Sequence, residues 1–225
     1  MVKKLEIMGM ELDNCTVQEA ILQIEEFLNH TVMSTVETVS MEMIVKSQAD
    51  EQLKACVEDL DLVIIGDKEI LKAAGEACTQ RIQETADQEF LKEFIRCMAQ
   101  NDKSIYLLGD DKEQIDSFQE FLTGCCDKIK VVGHYGLSDC IGDYDTVINE
   151  INIAEPDVIL SVISTPEQEY FLKGNKEKLN AKIWYGLGEN YGPKKGMSDV
   201  AGFAKKLIQK GMMHSMMARY NKKDE

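Results

Sequence analysis

Short apolar runs alternate along this chain with stretches whose apolar residues recur at helical spacing. The runs Thr35–Val39, Leu62–Ile65, Ser104–Leu108, Lys130–Val132, Asp157–Ile163 and Lys182–Tyr185 read as strands. Between them, Val17, Ala20, Ile21, Ile24 and Phe27 form one helical stripe, with Thr16 and Glu19 spaced as a capping box at its start. Phe90, Leu91, Phe94, Ile95 and Met98 form a second stripe, Ile115, Phe118, Phe121 and Leu122 a third, and Val147, Ile148 and Ile151 a fourth. Strand–helix–strand alternation predicts an α/β fold with a doubly wound, mostly parallel, Rossmann-like sheet. No Ser/Gly/Pro linker and no internal repeat interrupts it. The division expected is a body over 1–196 and a basic helical tail over 197–225.

In such sheets ligands bind beyond the carboxyl ends of the strands, so the residues following each run are the first candidates. They are Thr38-Val39-Ser40, Gly66-Asp67, Gly109-Asp110-Asp111, Gly133-His134-Tyr135-Gly136, Ser164-Thr165-Pro166-Glu167-Gln168 and Gly186-Leu187-Gly188. Neither a P-loop nor a GxGxxG pattern is among them. Most of these glycines fit ordinary turn chemistry. His134 reads as a turn residue before it reads as an acid or base. Asp110 and Asp111 read as helix caps before metal ligands, and Trp184, the single Trp, as core. Thr165-Pro166-Glu167-Gln168 fits a helix start, with Thr as N-cap, Pro at the first helical position and Gln completing a capping box. The same helix end offers N–H groups and a positive dipole to a phosphate, although Glu167 and Glu169 compete for those donors.

Composition narrows the function classes. The 225 residues are 44% hydrophobic and 29% charged, which excludes a wholly disordered chain. A net charge of −15 argues against nucleic acid as a partner. The exception is the tail, where Lys205, Lys206, Lys210 and Arg219 accompany Met212, Met213, Met216 and Met217. That pattern fits a helix docked on an anionic membrane surface, or one packed on its own domain with a solvated Lys face. The seven Cys show no CxxC and no His at zinc spacing, which predicts free thiols in a reducing, cytoplasmic compartment. The opening MVKKLEIMGMELDN has no apolar core, which predicts no signal peptide, and no run is long enough to span a membrane. No metal and no cofactor is expected. A homo-oligomer is expected only because symmetric self-association is common.

Taken in order, these segments resemble the bacterial WecG/TagA/CpsF glycosyltransferase family from about Leu5 to Gly192. The resemblance rests on Ile7-Met8-Gly9-Met10-Glu11-Leu12-Asp13 with Thr16, Glu19 and Ala20 after it, on Thr38-x-Ser40-x-Glu42, and on Asp61 through Asp67. It continues through Ile105–Gly109, Val131-Val132-Gly133 and Gly136, and through Pro156–Leu160 leading to Pro166-Glu167-Gln168-Glu169. The resemblance implies transfer of a sugar such as N-acetylmannosamine from a UDP-sugar to a lipid-linked diphosphate-GlcNAc acceptor, with inversion, on the inner face of a membrane. It implies Asp67 as the catalytic base. Thr38, Ser40, Arg81, Gly109, Gly133, Gly136, Gln168, Gly188 and Tyr191 are implied to bind substrate.

Several family positions differ. Gly66 stands where the family has the catalytic Asp, and Asp67 follows it. Ser40 replaces Asn, Glu84 replaces Gly, Glu167 replaces Lys, and Tyr191-Gly192 replaces Phe-Asp. The family's Arg-Ala-Pro and Glu-Trp elements near the C-terminus are not recognisable. Three readings follow: a divergent glycosyltransferase, a relative that binds a nucleotide sugar or partner without turnover, or a doubly wound binding domain unrelated to sugars.

Overall fold

The computed structural model describes residues 3–76, 78–140, 142–188 and 190–191. In chain order its elements are β1 (Lys3–Ile7), β2 (Met10–Asn14), α1 (Val17–Phe27), β3 (Ser34–Val39), α2 (Met41–Ser47), α3 (Glu51–Glu58) and β4 (Leu62–Ile65). Then follow α4 (Lys68–Ala73), α5 (Thr79–Ala86), α6 (Glu89–Gln100), β5 (Ser104–Gly109), α7 (Lys112–Cys125) and β6 (Lys130–Gly136). The last are α8 (Asp145–Ala154), β7 (Val158–Ser161), α9 (Glu167–Asn175) and β8 (Ile183–Gly186). The tail from Met197, with its basic residues, lies outside the described residues.

Six strands form one sheet in the order β4-β3-β8-β7-β5-β6, and all pairs in it are parallel. The expected doubly wound α/β fold is therefore present. Both faces are covered, which is why the strands read as continuous apolar runs rather than alternating ones. Along β5, Ile105 and Leu107 join α1, α6 and α7 on one face, while Tyr106 and Leu108 join α8 and α9 on the other. Trp184 is fully buried on that second face and stacks on Phe171 at 5.8 Å. On the first face Phe94 and Phe90 pack edge-on against Tyr185, at 4.8 and 5.6 Å.

Two aspartates pin strand register at the amino end of the sheet. Asp61 accepts from the N–H and Oγ1 of Thr35 at 2.7 and 2.9 Å, tying β4 to β3. Asp157 accepts from the N–H and Oγ of Ser104, both at 2.9 Å, tying β7 to β5. Each carboxylate satisfies a donor at the start of a neighbouring strand, where the ladder has not yet begun.

The strands found beyond the sequence expectation are β1 and β2. They form an antiparallel hairpin turned at Met8 and Gly9, both with positive φ, the two-residue geometry that matches strand twist. The hairpin lies against the edge strand β4, where Asp13 Oδ2 accepts from the Val63 N–H at 2.9 Å. β6 is longer than expected: Gly133 through Gly136 belong to the strand, not to a turn after it, and His134 is an exposed residue of that edge strand.

The helix starts follow capping chemistry. Thr16 and Glu19 make the expected reciprocal box on α1, and Asp111 caps α7 by accepting from Gln114 N–H at 2.8 Å. The capping box expected at Thr165 and Gln168 is absent. Pro166 occupies the N-cap of α9 without a side-chain bond, because Thr165 and Gln168 turn their side chains inward. Phe94→Ala removes a fully buried ring and is expected to cost about 3–5 kcal/mol, measured as a lowered urea midpoint with unchanged slope.

Candidate active site

The cleft begins with the alternation of β3. Val36 and Thr38 face α1 and α6, while Thr35, Glu37 and Val39 face the opposite layer. Thr38 Oγ1 lies 2.8 Å from the hydroxyl of Tyr185 on the adjacent β8, a buried pair toward the carboxyl ends of these two neighbouring strands. Complete burial pushes the Tyr185 phenol far up, and the Thr38 hydrogen bond offsets this only in part. It stays a neutral hydroxyl.

Above this pair is a pocket of about 520 Å³, its open mouth included. Its walls are the start of α1, the Gly66 turn after β4, one side of α5 with Arg81 and Glu84, the start of α6, and Leu187 and Asn190 after β8. Among the described residues lining it, Arg81 is the one cation and Glu84 the one carboxylate. They pair at 3.2 Å, with side chains only 12% and 17% exposed. Arg81 Nε is buried with no hydrogen-bond partner. Cys15 also lines the pocket, and burial raises its thiol to about 11, so it is protonated near neutrality.

Gly66 explains the one-residue displacement of the acid. A Cβ at this position would lie 2.7 Å from Thr38 Cγ2 and 3.1 Å from Val39 O. A side chain there would have to displace the Thr38 methyl and press on the Val39 carbonyl, and the carboxylate of this turn stands at Asp67. Asp67 Oδ2 accepts from the Met41 N–H at 2.8 Å, at the first residue of α2. Ser40 caps the same helix by accepting from Met43 N–H at 3.1 Å. Asp67 and Ser40 are thus brought together at the end of α2, next to the pocket's Gly66 wall.

Gln168 is buried beneath the loop that leaves β8. It donates to Glu37 Oε1 and, at 3.3 Å, to Glu169 Oε1, and it accepts from the Gly188 N–H at 3.3 Å. Thr165 Oγ1 donates to Glu169 Oε1 at 3.0 Å. Glu37 and Glu169 are each 1% exposed. Burial, and then the neighbouring Glu169 charge, holds the Glu37 carboxyl well above its usual range. Glu37 was not among the sequence candidates. Its signal was a Glu inside Thr35-Val36-Glu37-Thr38-Val39, a run otherwise suited to a strand covered on both faces.

The remaining expected substrate residues lie elsewhere. Gly109, Gly133 and Gly136 sit under Gln114, the Tyr106 ring and the Asp111 backbone, so protein fills the space where a Cβ would be. Tyr191 packs on Phe118 and Phe121 at 4.5 and 6.3 Å, on the α7 side. Of the expected residues, Thr38 and Arg81 line the cleft itself. Ser40 and Asp67 lie beside its Gly66 wall, and Gln168, on the other face of the sheet, bonds the Gly188 backbone between the lining residues Leu187 and Asn190.

A pocket at the carboxyl ends of neighbouring strands is where ligands bind in parallel doubly wound sheets. The sequence matches the WecG/TagA/CpsF glycosyl transferase family over residues 5–191, and the chain belongs to it. Among named relatives it is similar to the N-acetylglucosaminyldiphosphoundecaprenol N-acetyl-beta-D-mannosaminyltransferase of Staphylococcus aureus strain NCTC 8325 / PS 47. The two are 19% identical over 187 residues, covering 82% of this chain and 73% of the relative. The same enzyme of strain MRSA252 is 20% identical over the same share of each chain.

The buried Glu37 carboxyl makes stability pH-dependent. Its folded pKa lies above its unfolded value, so its contribution is complete below the ordinary carboxylate range and is lost as pH rises toward the folded pKa. Wild-type stability is expected to fall as pH rises from about 5, by up to about 1.4 kcal/mol per pH unit for one proton. Glu37→Gln, which keeps an acceptor for Gln168, is expected to remove that decline. Urea titrations at stepped pH measure both.

Proposed function

We propose that this chain is a glycosyltransferase that moves a sugar, N-acetylmannosamine or a close relative, from a UDP-sugar to a lipid-linked diphosphate-GlcNAc acceptor. The observation that carries the reading is the pocket at the ends of β3, β4 and β8, where Thr38 and the Arg81 guanidinium converge. Family membership and the named Staphylococcus aureus relatives support the reaction class and the lipid-linked acceptor.

In this reading Asp67 takes the proton of the acceptor hydroxyl, and that oxygen attacks the anomeric carbon of the donor. The bond from that carbon to the diphosphate breaks as the new one forms, and the configuration inverts. Nucleoside diphosphate leaves with the bonding electrons, its charge met by Arg81. Gln168 acts from below, by setting the Gly188 backbone. Asp67 suits the role as the carboxylate beside the pocket's Gly66 wall, oriented by its bond to the α2 N-terminus. No helix among the described residues is long and apolar enough to cross a membrane. Access to a lipid acceptor is assigned to the tail, through Lys205, Lys206, Lys210 and Arg219, at the inner membrane face.

The bond from Asp67 to Met41 N–H favours one further reading, in which the carboxylate is retained as a helix cap and the pocket binds a nucleotide sugar without turnover. UDP at about 100 times its dissociation constant is expected to add about 2.7 kcal/mol of stability, seen as a raised melting temperature. Asp67→Asn keeps an oxygen for Met41. It is expected to leave UDP binding intact while lowering acceptor-dependent UDP release by about 10²–10⁴-fold. UDP binding with no acceptor-dependent release by the wild type supports the non-catalytic reading instead.

A further inference from the structure

The pocket's charge is balanced before any ligand arrives. Arg81 is the single cation among its described lining residues, and Glu84, one turn along α5, sits on it. Both Glu84 oxygens are engaged: Oε2 accepts from Arg81 Nη1 at 3.2 Å, and Oε1 accepts from Gln80 Nε2 at 2.9 Å. The carboxylate is therefore held in place from two sides. On an open helix surface a pair at this spacing is worth little. Here both side chains are largely buried, so water does little to screen the attraction.

Arg81 is the one formal positive charge among the described lining residues; the start of α6, whose N-cap Gln88 makes no side-chain bond, adds only neutral N–H groups and a helix dipole. The N-terminus of α1 also borders the pocket, with its capping box engaging the Thr16 and Glu19 N–H groups and bringing the Glu19 carboxylate to that end. Thr38 Oγ1 is paired with Tyr185. The Gln88, Thr85 and Asn190 side chains on its walls are neutral. Arg81 nevertheless keeps unused capacity, since its Nε–H is buried without an acceptor. A guanidinium that shares one edge with a carboxylate and leaves another N–H unmet is set to receive a second anion.

We propose that Glu84 is a resident competitor for the donor's diphosphate. It neutralises Arg81 in the empty pocket, and a diphosphate engages Arg81 only by displacing Glu84 or by lying against its like charge. This rests on reading the pocket as a nucleotide-sugar site. Its consequence is selectivity by charge: free nucleoside diphosphate binds weakly and leaves readily, while an uncharged nucleoside is unaffected.

Calorimetric titration of wild type, Glu84→Gln and Gln80→Ala with UDP and with uridine tests this. Glu84→Gln keeps a hydrogen-bonding side chain and removes the charge, and ligand-free melting temperatures confirm that each variant folds. UDP is expected to bind Glu84→Gln at least about tenfold more tightly than wild type. Gln80→Ala, which frees one side of the Glu84 clamp, is expected to give a smaller gain of about two- to threefold. Uridine affinity is expected to stay the same in all three. UDP affinity that is unchanged or weaker in Glu84→Gln overturns the role of Glu84 and leaves the nucleotide reading standing. A gain that is equal for uridine overturns it too, because the effect is then not one of charge. Failure of UDP and of UDP-sugars to bind either wild type or Glu84→Gln overturns the nucleotide reading, and this inference with it.

Discussion

The cleft depends on the pairing of β3 with β8, strands that lie near opposite ends of the described chain. Their parallel ladder places Thr38 against Tyr185. It also lets Gln168, from the helix that precedes β8, reach Glu37 on β3. Two polar contacts on opposite faces of the sheet thus fasten the same pair of strands. One forms the floor of the pocket. The other sets the backbone that leaves β8 over that floor. A shift of one residue between these strands would exchange the faces and separate both pairs. The geometry of the pocket is therefore a consequence of sheet register, held by buried groups that have no alternative partner in water.

The substitutions that set this chain apart from its family look less arbitrary in that light. Gly66 sits in close approach to Thr38 and Val39, and the acid at the next position has a bond to the neighbouring helix. Glu84 is not a loose surface charge but a clamped partner of the pocket's cation. The two changes are linked by position, because both border the same hollow. The resemblance read from the sequence marks them only as departures from the family's motifs. The structure gives each a definite contact.

The strands of the main sheet were legible because burial on both faces leaves uninterrupted apolar runs, and α1 because its cap uses side chains in strict spacing. The β1–β2 hairpin was not legible. Its strands alternate charged and apolar residues over only a few positions, and its turn uses Met8 where a glycine or asparagine would have marked it. The helix start at Thr165 misled for a different reason. Thr, Pro and Gln have the right order for a cap, but the buried carboxyl pair claims Thr165 and Gln168 as donors. Among the site candidates, Thr38 and Arg81 meet in the pocket, while Gly109, Gly133 and Gly136 answer to packing. Nothing in one sequence separates a glycine that admits a ligand from one that admits a tyrosine ring. Glu37 was visible in the sequence as a charge within a strand, but its partners lie far along the chain, and only the fold brings them together.

The N-terminal hairpin has a meaning beyond its own stability. β4 ends the sheet, and its outward Val63 N–H is claimed by Asp13. An uncovered edge of this kind is a template on which a foreign strand can add. During synthesis the hairpin leaves the ribosome well before β4 does, so the guard is made ahead of the strand it guards. A nascent chain that loses those first residues would present its apolar margin to every neighbour, and its fate would turn on self-association rather than on the chemistry of the cleft.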